Sequence, residues 1–414
     1  MKHSIAADIE QRRDWLAHLC SSIVSIPSVD RETDPTSNTK EVCQFIVGML
    51  KEHGIESQVI EVLPGHQSLI AKIGKPGGKR VVYNGHLDTY GVQPNEKWTY
   101  DPFSGKIVDG RVYGRGATDM KGGDAALLTA FTTLKKFEKE LEGEVVMTLF
   151  ADEETGAYYG AVHILDNCPD ALGDVVLSAE PTGVDNIRFG EKGSSRLTVV
   201  ANGVSGHGGS PWRGKSATAD LVAFLHKART AMDGRDIEPP SGYRQIFENA
   251  RSAIQKVYGE RGPEFMTKIT FNIGTLLGGV KDSIVADRSE AQLDVRSPVG
   301  FSHEQVMEDL SQHAKAHDVE IHVRHSRSPN FSDPDHPACQ MLIQNAAEVT
   351  GTAPYPMYSL GGSDLRFYRR KGVPGFIYGP GSRNFAKADE YVEIEDMVTV
   401  AKVHAMTAYE FLKQ

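Results

Sequence analysis

Arg80-Val81-Val82-Tyr83-Asn84-Gly85-His86-Leu87-Asp88-Thr89 joins a short β-rich run to a polar cluster through a glycine. Two later stretches repeat the arrangement. Glu144-Val145-Val146-Met147-Thr148-Leu149-Phe150 leads to Asp152-Glu153-Glu154-Thr155-Gly156, and Asp174-Val175-Val176-Leu177-Ser178 leads to Ala179-Glu180-Pro181-Thr182. Runs rich in β-branched residues and bounded in this way read as strands. In α/β folds, sites form at the carboxyl ends of such strands, so these three ends predict one shared site. A fourth cluster, Gly114-Arg115-Gly116-Ala117-Thr118-Asp119-Met120-Lys121-Gly122-Gly123, precedes Leu127, Leu128, Phe131, Leu134 and Leu141. Their spacing is helical, and Asp119 is expected to open that helix.

Residue spacing within the clusters assigns roles. Positions two apart in extended chain share a face, so His86 and Asp88 both look toward the predicted site, with Asp88 placed to hydrogen-bond the imidazole. His86 is then the ligand and Asp88 its orienter. Neighbouring positions point apart, so of Glu153 and Glu154 one carboxylate is free to bind a cation while the other acts as a base. Such a base takes a proton from water made acidic by the cation and passes it to a leaving nitrogen. The pattern reads as a two-metal hydrolase. Taken singly each piece has a bland reading: a histidine capping a strand corner, a solvated Glu-Glu pair, an ordinary strand terminus at Glu180. Their convergence on element ends is what favours the metal site.

The order of the motifs resembles the M20 metallopeptidases, the group that holds acetylornithine deacetylase, succinyl-diaminopimelate desuccinylase, aminoacylase and glutamate carboxypeptidase. Matching stretches are Gly85 to Thr89, Trp98 to Phe103, Gly110 to Gly123, Asp152 to Gly156, Glu180 to Thr182 and Gly361 to Asp364. The resemblance implies that His86 and Glu180 hold one zinc, Asp119 bridges, Glu154 holds the second zinc, and Glu153 is the general base; Co2+ or Mn2+ are alternatives to Zn2+. Glu180, where an aspartate would mark aminopeptidases and dipeptidases, resembles the deacylase and carboxypeptidase branch. The implied activity is hydrolysis of an amide in an N-acyl amino acid or C-terminal amino-acid conjugate bearing a free carboxylate. An aminopeptidase or dipeptidase, and a non-catalytic binding protein, are the competing classes.

One position departs from the family. Its late run carries a ligand histidine four residues before a glutamate, and Asn384-Phe385-Ala386-Lys387-Ala388-Asp389-Glu390-Tyr391 has Ala386 there. Alanine offers no donor atom, which leaves the second zinc one protein ligand short of the usual three. Three explanations stay open: a change made to silence the enzyme, a natural one-metal centre, or a ligand from elsewhere, for which His336 and His404 are candidates. The intact Lys387 to Tyr391 run favours the first.

From about residue 191 the chain changes character. Strands are expected at Arg196 to Val200, Ile269 to Thr275, Ala291 to Val295 and Val319 to Val323, with helices at Ala217 to Met232 and His303 to Ala316. The β-α-β-β-α-β order is that of a ferredoxin-like sandwich, while Arg235 to Tyr258 reads as irregular. The fold class is therefore α/β, a mixed sheet flanked by helices with an inserted ferredoxin-like lid: residues 1–190 and 329–414 form the catalytic domain and 191–328 the lid and dimerisation domain. In this lid His207 lies in a glycine-rich loop and, by the resemblance, stabilises the tetrahedral intermediate, often across a dimer interface. Arg296 matches the arginine that pairs with a substrate carboxylate, although an arginine two residues after an aspartate also reads as a surface ion pair. Asn272, Gly362 and Ser363 are further candidates for the carboxylate pocket.

Before the first of the strands, a helix through about Val24 and another from about Thr39 to Glu52 are expected, the latter ended by Gly54, with strands and helices alternating from there to Glu180. At 414 residues the chain exceeds one core. Its net charge of −10 gives no general attraction for nucleic acid or anionic membrane. Four scattered cysteines, none in a Cys-x-x-Cys, suggest reduced thiols. Met1 to Glu10 carries charge where a signal peptide needs an apolar stretch, so the expected location is cytoplasmic.

Overall fold

The computed structural model describes residues 1–381 and 383–414. The chain divides into two compact units, Met1–Phe189 with Ser332–Met357 and Ser363–Gln414, and Gly190–Phe331 with Tyr358–Gly362.

A mixed sheet forms the first unit. From one edge its strands run Ser57–Leu63, His66–Gly74, Glu144–Phe150, Arg80–His86, Val175–Ser178 and Gly375–Ile377. The first three pair antiparallel, and the last four form a parallel set. Parallel strands are covered on both faces and so read as continuous apolar runs rather than alternating ones. Val82, Val146, Val176 and Ile377 accordingly pack on one face against Ile164, Leu365 and Tyr368. On the sheet's other side the Tyr83 hydroxyl donates to the His404 carbonyl (2.8 Å) in the helix Ile394–Phe411, which packs on the helix Gly122–Lys136. Register follows from this two-sided burial: His86 lies opposite Phe150, Asn84 opposite Ser178, and Ser178 opposite Ile377. The carboxyl ends thus finish level, and the loops that leave them begin at one height.

Several expectations need correction. The opening helical region is split at Arg12 into Lys2–Gln11 and Arg13–Val24. Strands and helices do not alternate strictly up to Glu180, because Ser57–Leu63 and His66–Gly74 make a hairpin, and Lys106–Val108, Arg111–Tyr113 and Tyr391–Glu393 form a separate small sheet. Asp119 does not open the long helix. It has extended angles (φ −122°, ψ 102°), and the helix starts at Gly122 and ends at Lys136, leaving Leu141 outside.

In the second unit the four-stranded sheet is ordered Thr270–Gly278, Arg288–Ser297, Gly193–Asn202, Val319–Arg327, every pair antiparallel. With the helices Ala217–Met232 and His303–Ala316 this is the ferredoxin-like arrangement. Both helices carry serine caps: Ser216 accepts from the Ala219 N–H, and Ser302 forms a reciprocal capping box with Gln305. The stretch expected to be irregular instead holds two short helices, Tyr243–Asn249 and Arg251–Tyr258.

Gly85 shows how tightly the strand end is packed. A Cβ there would lie 1.9 Å from Asp124 Oδ1, and Asp124 is wholly buried. Gly85→Ala is expected to cost about 1–3 kcal/mol through overpacking, read as a lower urea midpoint at unchanged m-value; an unchanged midpoint would mean that Asp124 moves aside freely.

Candidate metal centre

The level strand ends bring His86, Asp119 and Glu180 together, their ligand atoms all within 4.8 Å of one another. His86 Nε2 lies 3.1 Å from Asp119 Oδ1 and 3.6 Å from Glu180 Oε1. The opposite ring nitrogen, Nδ1, is 3.0 Å from the Asp88 carbonyl oxygen and 3.4 Å from its carboxylate. A proton on Nδ1 suits those acceptors and leaves the Nε2 lone pair for a cation. Asp88 also ties two strand ends together, because its carboxylate accepts the N–H of Glu153 (3.1 Å) and of Glu154 (3.0 Å).

Asp119 is presented by a loop rather than a helix. Gly116 takes a left-handed conformation (φ 82°), and Asp119 and Met120 depart from helical angles before the helix begins at Gly122. Glu390 secures them. Its Oε1 accepts the N–H groups of Thr118 (2.9 Å) and Asp119 (3.2 Å), and its Oε2 accepts from Arg115 Nη1 (2.5 Å). The Arg115 and Glu390 side chains are each 1% exposed, so their charges compensate out of water. Burial still raises the Glu390 carboxyl to about 7 against the pull of Arg115.

Glu153 and Glu154 diverge. Glu153 Oε1 accepts from Arg366 Nη1 (2.9 Å), whose guanidinium also donates to the Ser363 carbonyl (2.5 Å). Glu154 Oε1, shielded from solvent, has no hydrogen-bond partner among the described residues. Burial, then the negative charge of Asp119, pushes the Glu154 and Glu180 carboxyls well above the ordinary range. For His86 burial acts downward, but hydrogen bonds to Asp119 and Asp88 and the Glu180 charge outweigh it and raise the imidazole. A histidine amid carboxylates that cling to protons, one oxygen lacking any partner, is a donor set suited to a divalent cation.

The other sequence candidates lie as follows. Ser363 is buried beside Asp364, whose two carboxylate oxygens have no partner among the described residues. In the second unit His207 is exposed, its Nδ1 accepting the Gly209 N–H (3.1 Å). Arg296 pairs with Asp294 at 3.1 and 2.8 Å, so the ion-pair alternative is the one formed. Asn272 stands across the strands from Asp294, and a Cβ at Gly362 would meet the Arg327 guanidinium at 2.1 Å. Ala386 is half-buried in a turn with φ 56°.

Neither histidine considered as a substitute ligand belongs to this cluster. His404 Nε2 lies 2.7 Å from the Tyr378 carbonyl, and burial lowers its imidazole to about 4. His336 caps the helix Pro337–Thr350 through Nδ1 and stacks on Phe376. Sequence reasoning passed over Arg366 and the support given by Glu390 and Arg115. Arg366 sits two residues after Asp364 in a motif already noticed, the nearest thing to a signal.

A model of peptidase family M20/M25/M40 matches residues 82–410. The chain is 27% identical over 410 residues to a succinyl-diaminopimelate desuccinylase 2 of Ruegeria sp. (strain TM1040), covering 92% of this chain and 96% of that one. It is 26% identical over 371 residues to a probable succinyl-diaminopimelate desuccinylase of Staphylococcus epidermidis, covering 85% and 88%. Among solved structures, an M20 family metallo-carboxypeptidase from Sulfolobus solfataricus superposes with a TM-score of 0.79 at 20% identity, covering 96% and 99%. A dinuclear metal-binding M20 peptidase from Bacillus subtilis superposes with a TM-score of 0.66 at 17% identity, covering 98% and 99%.

The raised carboxyls set a pH dependence. A carboxyl raised in the folded state stabilises below its unfolded value, 4.5 for glutamate, and loses that contribution as pH climbs toward the folded value. A bound cation removes the loss. The melting temperature of zinc-loaded protein should therefore exceed that of chelator-treated protein by a margin that widens as pH rises above 4.5; a margin independent of pH would contradict the proton-holding site.

Proposed function

The chain belongs to peptidase family M20/M25/M40 and is a metal-dependent hydrolase, and from that premise we propose that it hydrolyses the amide of an N-acyl amino acid or C-terminal amino-acid conjugate bearing a free carboxylate. The single observation that carries the reading is the convergence of His86, Asp119 and Glu180 beside a Glu153–Glu154 pair whose carboxylates take separate surroundings. His86 and Glu180 would hold one zinc, Asp119 would bridge, and Glu154 would face the second. Bound zinc supplies Lewis acidity that polarises the substrate carbonyl and acidifies water.

The remaining work falls to the chain's own groups. Glu153, held by Arg366, takes a proton from the attacking water and hands it to the leaving nitrogen. Asp88 keeps His86 oriented and fixes the Glu153 and Glu154 amides. His207 is proposed as donor to the developing oxyanion, worth a few kcal/mol where it acts. Arg296, released from Asp294, is proposed to bind the substrate carboxylate bidentately, with Asn272, Gly362 and Ser363 lining that pocket. The relatives named as desuccinylases support an acyl amino acid as the substrate class.

We further propose a cytoplasmic enzyme that self-associates through its second unit, where Leu277 and Val280 stand 63% and 87% exposed. No helix among the described residues is long and apolar enough to cross a membrane. Turnover of N-acyl amino acids over free dipeptides in a substrate panel tests the class, and the reverse preference would favour a dipeptidase.

Two variants test the roles. Glu153→Ala should keep its zinc while turnover falls by on the order of 10²–10⁴; loss of zinc instead would exchange the roles of Glu153 and Glu154. Ala386→His should raise both zinc per chain and amidase rate, measured by elemental analysis and substrate assay. Unchanged zinc content would mean that residue 386 does not stand in the ligand position.

A further inference from the structure

The four-stranded sheet of the second unit buries one face. Leu197, Val199, Leu293 and Val295 pack from it against Leu221, Phe224 and Leu310 of the two helices. Side chains alternate along a strand, so the residues between these point to the helix-free face. There the register builds a row in which Ser194 stands between Arg296 and Arg327. In the next row Arg196 stands between Asp294 and His325, and in the one after it Thr198 stands between Gln292 and His322. Directly paired residues project to the same side, so these rows set three arginines against a single acid, Asp294, which Arg296 engages. In a chain of net charge −10 such a face is a local exception, and it attracts anions.

Arg327 is the most closely fitted of the three arginines. It is half-buried, and its guanidinium lies against the Tyr358–Gly362 segment of the same unit. A Cβ at Gly362 would meet Nη1 at 2.1 Å and Cζ at 2.4 Å, so the glycine is what lets the guanidinium rest there. Asp294 stands two strands away from it, beside Arg296.

We propose that Arg327 is a specificity-determining residue that reads a second carboxylate. The preferred substrate is then an N-acyl amino acid with two acid groups: the α-carboxylate at Arg296, and another, on the acyl chain or the amino-acid side chain, at Arg327. This deepens the N-acyl amino acid reading above and rests on it. A guanidinium engages both oxygens of a carboxylate through its planar fork. The two Cα atoms stand roughly 10 Å apart, two interstrand spacings, so the long side chains can take two carboxylates of one small molecule at once.

Two pairs of compounds that differ only by carboxylate against carboxamide test this: N-succinylalanine with N-succinamoylalanine, and N-acetylglutamate with N-acetylglutamine. Affinities come from calorimetry on the zinc-loaded chain carrying Glu153→Ala, so that nothing is hydrolysed during the titration. The carboxylate member of one pair should bind tighter by roughly tenfold or more, and the pair that shows it tells which end of the substrate carries the second acid. Adding Arg327→Gln should bring that ratio close to one, while Arg327→Lys should keep part of it. Gly362→Ala, which displaces the guanidinium without changing any charge, should act as Arg327→Gln does. Arg296→Gln should weaken both members of each pair alike, because they share the α-carboxylate. A ratio near one in both pairs, or a ratio that survives Arg327→Gln, overturns the proposal and leaves the N-acyl amino acid reading standing. A ratio that falls as far with Arg196→Gln as with Arg327→Gln also overturns it, since the face would then act as a diffuse field. If none of the four compounds binds, the N-acyl amino acid reading itself fails, and the role of Arg327 with it.

Discussion

Gathering Asp119, Glu154 and Glu180 around one imidazole, largely out of water, is the constraint to which the first unit is built. Each uncompensated buried charge costs several kcal/mol, and the responses are visible in the proton-holding carboxyls and in the orphaned Glu154 oxygen. A cation resolves the conflict at a stroke.

Two acids outside the cluster do much to hold it in place. Asp88 spends its carboxylate on the amides of Glu153 and Glu154, which locks the loop after Glu144–Phe150 to the end of Arg80–His86. Glu390 does the same for Asp119, and Arg115 compensates its charge. Such support explains why motifs distant in sequence are interdependent: Glu390 lies 271 residues from the amide it holds at Asp119. A ligand on a loop can be as well placed as one on a strand when the loop's N–H groups are all spoken for.

The legible parts of the fold were those in which one physical signal dominated. Central strands showed as apolar runs because both faces are buried, and Glu144–Phe150 was bounded correctly for that reason. Helices Ala217–Met232 and His303–Ala316 also had the expected limits, marked by the capping serines before them. The hairpin Ser57–Leu63 and His66–Gly74 was not picked out, since Gln58, Glu61, His66 and Gln67 blur its pattern. In the site, His86 and Glu180, two members of the cluster that the structure brings together, were legible from their places after strand ends. The supporting contacts were not: the Arg366 contact to Glu153 spans 213 residues, and nothing local to either residue announces it. Asp119 was assigned to a helix because periodicity sees the helix that follows but not the Glu390 carboxylate that holds the preceding residues out of it.

Ala386 is best understood against this division of labour. Its turn still does what the structure requires of it: Asp389 accepts from the Thr99 N–H and hydroxyl, and Glu390 carries the Asp119 loop. None of those tasks uses the side chain at 386. Asp88 and Glu390 have no such latitude, because each satisfies backbone groups of the chain that carries the cluster, and a replacement that could not accept those N–H groups would leave them unpaired.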